Sequence, residues 1–95
     1  MELRKTARFA AWLDGLGDIH GRARVLARIE RLAAGDPGDS APVGGGVSEL
    51  RIDSGPGYRV YYTRRGRTLV VLLAGGDKGS QRRDIGVARR LARGL

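Results

Sequence analysis

Three short runs of strand-forming residues, Val47–Asp53, Tyr58–Thr63 and Thr68–Ala74, constrain the fold of this chain more than any other stretch. They are rich in Val, Ile, Leu and Tyr, and turn residues separate them. Gly55-Pro56-Gly57 joins the first two runs and Arg65-Gly66 the second two. Loops this short favour antiparallel hairpins, so the spacing predicts a three-stranded meander. Side chains alternate along a strand. Burying Leu50, Ile52 and Val60 on one face therefore sends Arg51, Arg59 and Tyr61 to the other, which is expected to be open. The third run, Leu69–Leu73, has no alternation and reads as a central strand covered on both sides.

Length and composition bound the rest. Ninety-five residues make one domain, residues 1–95, with a single modest core. There is no Cys, so no disulfide or thiolate–metal staple is available. No apolar run approaches a membrane span and the N-terminus lacks a signal-peptide core, so a cytoplasmic protein with no membrane partner is expected. The net charge is +8, and most of the cations are arginines. A planar guanidinium fork suits phosphate better than a point charge does. That balance points to nucleic acid or to an acidic protein. A GC-rich genome also favours Arg, Ala and Gly, which bears on the helix arginines more than on Arg51 and Arg59.

In chain order, Met1–Lys5 reads as an edge strand. Thr6 caps a short helix carrying Phe9, Trp12, Leu13 and Leu16, with Gly17 as its stop and Trp12 as a core anchor. Asp18 opens a second helix, weakened at its first turn by Gly21. Its apolar stripe is Val25, Leu26, Ile29, Leu32 and Ala33, its remaining face is basic and solvated, and it ends by Gly35. Asp36–Gly46 reads as a loop, with Gly44-Gly45-Gly46 as a flexible approach to the sheet. Gly79–Arg93 is a closing helix, N-capped by Ser80, with Ile85, Ala88, Leu91 and Ala92 as its stripe. The class is α+β: a small antiparallel sheet, made of the meander and the N-terminal edge strand, packed with two N-terminal helices and a C-terminal one.

No acid pair, Ser/His/Asp set or metal-ligand cluster is apparent, and His20 lies near a helix start, away from the meander. The chemistry that remains is Arg51, Arg59, Tyr61 and Lys78. Two fixed arginines can clamp a phosphodiester and stabilise charge developing on it. A Tyr or a Lys can move a proton. Lys78 follows Gly75-Gly76-Asp77, whose glycines would let the backbone approach a polyanion. The plainer alternative pairs Lys78 with Asp77 or Asp84 at the surface. A basic sheet face is also more often a binding surface than an active site.

The runs GVSELRIDSGPGYRVYY (Gly46–Tyr62) and VVLLAGGDKGSQRRDI (Val70–Ile85) resemble the addiction-module killer (HigB-like) branch of the RelE/ParE toxin superfamily. KTARFAAWLDGL (Lys5–Leu16) and RARVLARIERLAAGDPGD (Arg22–Asp39) are similar to its N-terminal helices, so the resemblance covers almost the whole chain. It implies a RelE/ParE-like fold and a bacterial type II toxin, neutralised by a small antitoxin encoded beside it. That antitoxin is expected to bind DNA and to dock through an acidic segment with an apolar stripe. RelE-like members cleave mRNA on the ribosome without a metal, the ribose 2′-hydroxyl attacking the neighbouring phosphate. ParE-like members on the same fold poison DNA gyrase. The resemblance places Arg51 and Arg59 as the phosphate-holding arginines, with Tyr61 or Lys78 assisting proton transfer and no cofactor or metal. One departure stands out: RelE-like ribonucleases keep a catalytic Tyr or His near the C-terminus, and Gly79–Leu95 has neither.

Overall fold

A computed structural model describes the whole chain, Met1–Leu95. Its elements are β1 (Glu2–Lys5), α1 (Ala7–Asp14), α2 (Ile19–Ala33), β2 (Ser40–Gly44), β3 (Val47–Ile52), β4 (Tyr58–Arg65), β5 (Leu69–Asp77) and α3 (Gln81–Arg93). A single 3-10 turn, Lys78–Ser80, joins β5 to α3. The five strands form one sheet in the order β1-β5-β4-β3-β2. This is the expected α+β class, and β3-β4-β5 is the expected antiparallel meander.

Two features of the sheet differ from the sequence reading. Strand β1 runs parallel to β5, so the sheet is mixed. A fifth strand, β2, lies inside the segment read as a loop and pairs antiparallel with β3. Its composition hides it: Pro42 is tolerated because β2 is an edge strand, and the register shifts between Pro42 and Gly44.

Two of the three expected helix caps, Thr6 and Asp18, hold. The Thr6 hydroxyl accepts from the Phe9 N–H at 3.0 Å and donates to the Leu73 carbonyl at 2.7 Å, fixing α1 to the sheet. The Asp18 carboxylate accepts from the Gly21 N–H at 3.0 Å. A Cβ on Gly21 would run into Tyr58 and Asp18, so glycine here lets β4 approach the helix. Helix α1 stops at Asp14 with Gly15 as its cap, ahead of the expected Gly17. Ser80 precedes α3 without a side-chain cap, its hydroxyl donating instead to Asp84 at 2.5 Å.

The sheet is covered on both faces. Helices α1 and α2 bring Phe9, Leu13, Val25, Ile29 and Leu32 onto Leu50, Ile52, Tyr58, Val60, Tyr62, Val70 and Leu72. On the other face α3 brings Val87, Ala88 and Ala92 onto Val47, Tyr61, Val71, Leu73 and Ala74. This accounts for the unalternating third strand. A bulge, where Tyr61 pairs with Ala74 and Tyr62 with Leu72, turns Leu73 and Ala74 both toward α3. No helix is long and apolar enough to cross a membrane.

The face expected to be open is therefore closed over β4 and β5. What stays accessible is its other end, where Arg51 and Arg59 emerge beside the Gly55-Pro56-Gly57 turn.

Candidate functional site

Arg51 on β3 and Arg59 on β4 are direct cross-strand partners. Together with Lys78 they line a cleft of about 440 Å³, walled by the Ile52–Gly57 turn and by Asp39. Three of the four candidate residues thus meet in one depression.

The two arginines are held differently. Arg59, only 14% exposed at its side chain, donates from Nε to Glu49 Oε1 at 3.0 Å. Its Nη1 donates to the carbonyls of Gly57 and Tyr58 at 3.1 and 3.2 Å. Arg51 is 42% exposed and lies 3.4 Å from Asp39 and 3.6 Å from Glu49. One fork is fixed by the protein, and the other is free to close on a ligand. Glu49, 2% exposed, stands behind both, and it also accepts from Gln81 Nε2 of α3 at 2.6 Å.

Tyr61 does not join them. It was expected on an open face beside the arginines, but it is fully buried beneath α3. Its hydroxyl has no hydrogen-bond partner. Burial first, and then the charges of Glu49 and Asp84, push the phenol well above its ordinary pKa. A buried phenol that resists ionisation cannot reach a ligand in the cleft or act there as a base.

Lys78 is exposed and lies within ion-pair distance of neither Asp77 nor Asp84. Asp77 instead caps the 3-10 turn, accepting from the Gly79 and Ser80 N–H groups at 2.8 and 3.3 Å. Asp84 is buried and lies beside Ser80 and Arg83. The glycines preceding Asp77 also have a different cause from the one expected. A Cβ on Gly75 would lie inside the Trp12 indole, and one on Gly76 would collide with the Asp84 carboxylate. They admit packing from both faces of the sheet rather than a polyanion.

The cleft has the charge to bind an oxyanion: Arg51, Arg59 and Lys78 all line it, and Arg59 Nη2 is not used in any hydrogen bond within the protein. Asp39 and Asp53 add acceptors at the rim. Glu49, Gln81 and Asp39 were missed as members of this arrangement. Glu49 carried a signal: a carboxylate alternating with Arg51 shares a strand face with it. Gln81 and Asp39 come from α3 and from the approach to β2, which only the tertiary fold brings near.

Residues 11–92 match the family described as phage derived protein Gp49-like (DUF891). The chain is 44% identical to an uncharacterized protein of Haemophilus influenzae, over all of this chain and 96% of that one. No solved structure matches it significantly. With nearly its whole length matched, the chain belongs to the phage-derived Gp49-like family, a toxin-like family related to RelE/ParE.

Proposed function

We propose that this chain is the toxin of a type II toxin–antitoxin pair, of the addiction-module killer branch, acting in the cytoplasm as a ribosome-dependent mRNA endonuclease. The observation that carries this reading is the Arg51–Arg59 cross-strand pair opening, with Lys78, into a single cleft. In such a cleavage the RNA supplies its own nucleophile. A ribose 2′-oxygen bonds to the adjacent phosphorus, the bond from phosphorus to the 5′-oxygen breaks, and a 2′,3′-cyclic phosphate and a 5′-hydroxyl result. The protein must bind the phosphate, stabilise charge on its non-bridging oxygens and move two protons. Arg59 and Arg51 serve the first two needs. With Tyr61 buried, Lys78 is the candidate that can reach the leaving oxygen.

The antitoxin expected of such a family has a suitable surface at the other end of the sheet. The outer edge of β1 is unpaired, Leu3 and Leu26 are exposed near it, and Arg4 and Lys5 flank it. That combination fits an acidic segment with an apolar stripe.

Primer extension on transcripts after induction tests the reading. Discrete cuts within translated codons are expected. Intact RNA with accumulating double-strand DNA breaks would instead identify a gyrase inhibitor of the ParE kind.

A further inference from the structure

A second groove, of about 320 Å³, continues from the cleft and is lined by Arg24, Ala27, Arg28 and Arg31 of α2. The two share Ile52 and Asp53 as a common wall. We infer that this groove is the track for nucleotides flanking the scissile phosphate of a single-stranded RNA, with Arg24 and Arg31 as its phosphate contacts. The inference rests on the ribonuclease reading and extends it beyond the cleft.

The helix supplies the pattern. Arg24, Arg28 and Arg31 recur at spacings of four and three residues, which places them on one face of α2. Seven residues of α-helix rise about 10 Å, so Arg24 and Arg31 sit as separate contacts along the groove. Arg28, between them, is committed to the protein. Its Nη1 donates to the Arg51 carbonyl, and its Nη2 donates to the carbonyls of Pro37 and Asp39 at 2.9 and 3.2 Å. It pins the site strand to α2, which makes cleft and groove one rigid surface. Arg24 is exposed and reaches only the Asp53 carbonyl, at a long 3.5 Å. Arg31 pairs with Asp36 at 2.9 Å, but both side chains are more than half exposed, so a phosphate can compete for that fork.

The chemistry of the groove favours a hydrated polyanion over an acidic protein segment. Six cations line the two depressions, against Asp39 and Asp53 in the lining and Asp36 and Glu49 paired from outside it, while the only apolar residues of the second groove are Ala27 and Ile52. A protein segment would find little there to bury. Asp53, at the junction, would repel a phosphate but can accept from a ribose 2′-hydroxyl, the group that separates RNA from DNA.

Fluorescence anisotropy with the intact protein tests this, using a single-stranded RNA decamer and a trimer of related sequence. The Arg24→Gln/Arg31→Gln double variant, folded by circular dichroism, should bind the decamer at least about tenfold more weakly, with trimer affinity unchanged. Its salt slope for the decamer should fall by about 1.4, at roughly 0.7 for each single-strand phosphate that is no longer neutralised. Trimer binding with a decamer indifferent to the double variant would overturn the track alone. Binding of neither RNA by the wild type would overturn the track, while discrete cuts in transcripts on induction would still uphold the ribosome-dependent ribonuclease reading. A DNA decamer bound as tightly as the RNA would overturn the assignment to RNA.

Discussion

Glu49 accepts from Arg59 Nε at 3.0 Å across the β3–β4 ladder while almost completely shielded from water. The same carboxylate oxygen accepts from Gln81 of α3 at 2.6 Å. The guanidinium of the candidate site, the strand beside it and the closing helix therefore share one buried acceptor. A cation held this way presents a fixed donor to a ligand without needing to be ordered when the ligand arrives. The arrangement also makes Arg59 a structural residue.

Glu49→Ala should therefore be severely destabilising. It strands a largely buried guanidinium and frees the N-terminus of α3, and breaking a buried pair from one side costs about 3–5 kcal/mol. Glu49→Gln, which keeps an acceptor but not the charge, should cost less. Urea unfolding of the three proteins, followed by circular dichroism, checks the order.

Arg51 and Arg59 should separate when each is changed to Ala. Arg51 is partly exposed and paired at 3.4–3.6 Å, so Arg51→Ala should keep the fold, costing about 1 kcal/mol or less, and abolish cleavage. Arg59→Ala leaves the buried Glu49 with only the longer 3.6 Å contact to Arg51 and the Gln81 hydrogen bond, so it should lose stability as well as activity. Arg51→Lys should also impair cleavage, since a point charge replaces a fork. Cleavage of programmed ribosomes, alongside thermal melts, measures both effects. Full activity in a folded Arg51→Ala protein would remove the clamp from the mechanism.

Tyr61→Phe makes the opposite kind of test. Its hydroxyl is buried without a partner, so deleting the oxygen removes an uncompensated polar group. Stability should be unchanged or rise by about 1 kcal/mol, and cleavage should be that of the wild type. Loss of cleavage in a stable Tyr61→Phe protein would show that the phenol reaches the reaction after all.

The contrast between Tyr61 and the arginines shows what the sequence carried. Strand alternation placed Arg51, Arg59 and Tyr61 on one face correctly, because the period of a strand is local. It could not say what covers that face. The stripe of α3 announced a helix that must bury something, yet nothing local specified that it lies over Tyr61 rather than over Arg59. Strand β2 was illegible for a related reason: SAPVG has little strand propensity, and its pairing with β3 is a tertiary event. The glycines before Asp77 were visible, but Trp12 and Asp84, which require them, are distant in sequence. The caps at Thr6 and Asp18 were legible because a cap lies within one turn of its helix.

Asp18 gives a pH dependence. The Gly21 N–H, and next the Tyr58 hydroxyl at 2.8 Å, hold its carboxyl below the usual range. Because the folded pKa lies below the unfolded value of about 3.9, the contribution is complete above that value. It is lost as the pH falls through the folded pKa. Asp18→Asn keeps a capping oxygen without the titration. Its stability should decline less steeply than that of the wild type as the pH is lowered from about 5 toward 3, measured by urea midpoints across that range.

Lys78 offers the sharpest test of chemistry in the cleft. It stands at the end of β5, just beyond the Asp77 cap, exposed and without an ion-pair partner. Its neighbours on the cleft wall include Gly57 and Arg59, and a Cβ on Gly57 would touch both side chains. Replacing the ammonium with a thioether of similar length should leave the fold intact, because no hydrogen bond within the protein depends on it. If the ammonium binds the phosphate or donates a proton to the departing 5′-oxygen, Lys78→Met should slow cleavage by at least about tenfold, equivalent to roughly 1.4 kcal/mol in barrier. A phosphate-binding role would also lower the salt dependence of the rate in Lys78→Met. Single-turnover cleavage on purified programmed ribosomes, across salt concentrations, measures both effects. A rate within a factor of about two of wild type would leave the two arginines as the whole of the catalytic apparatus.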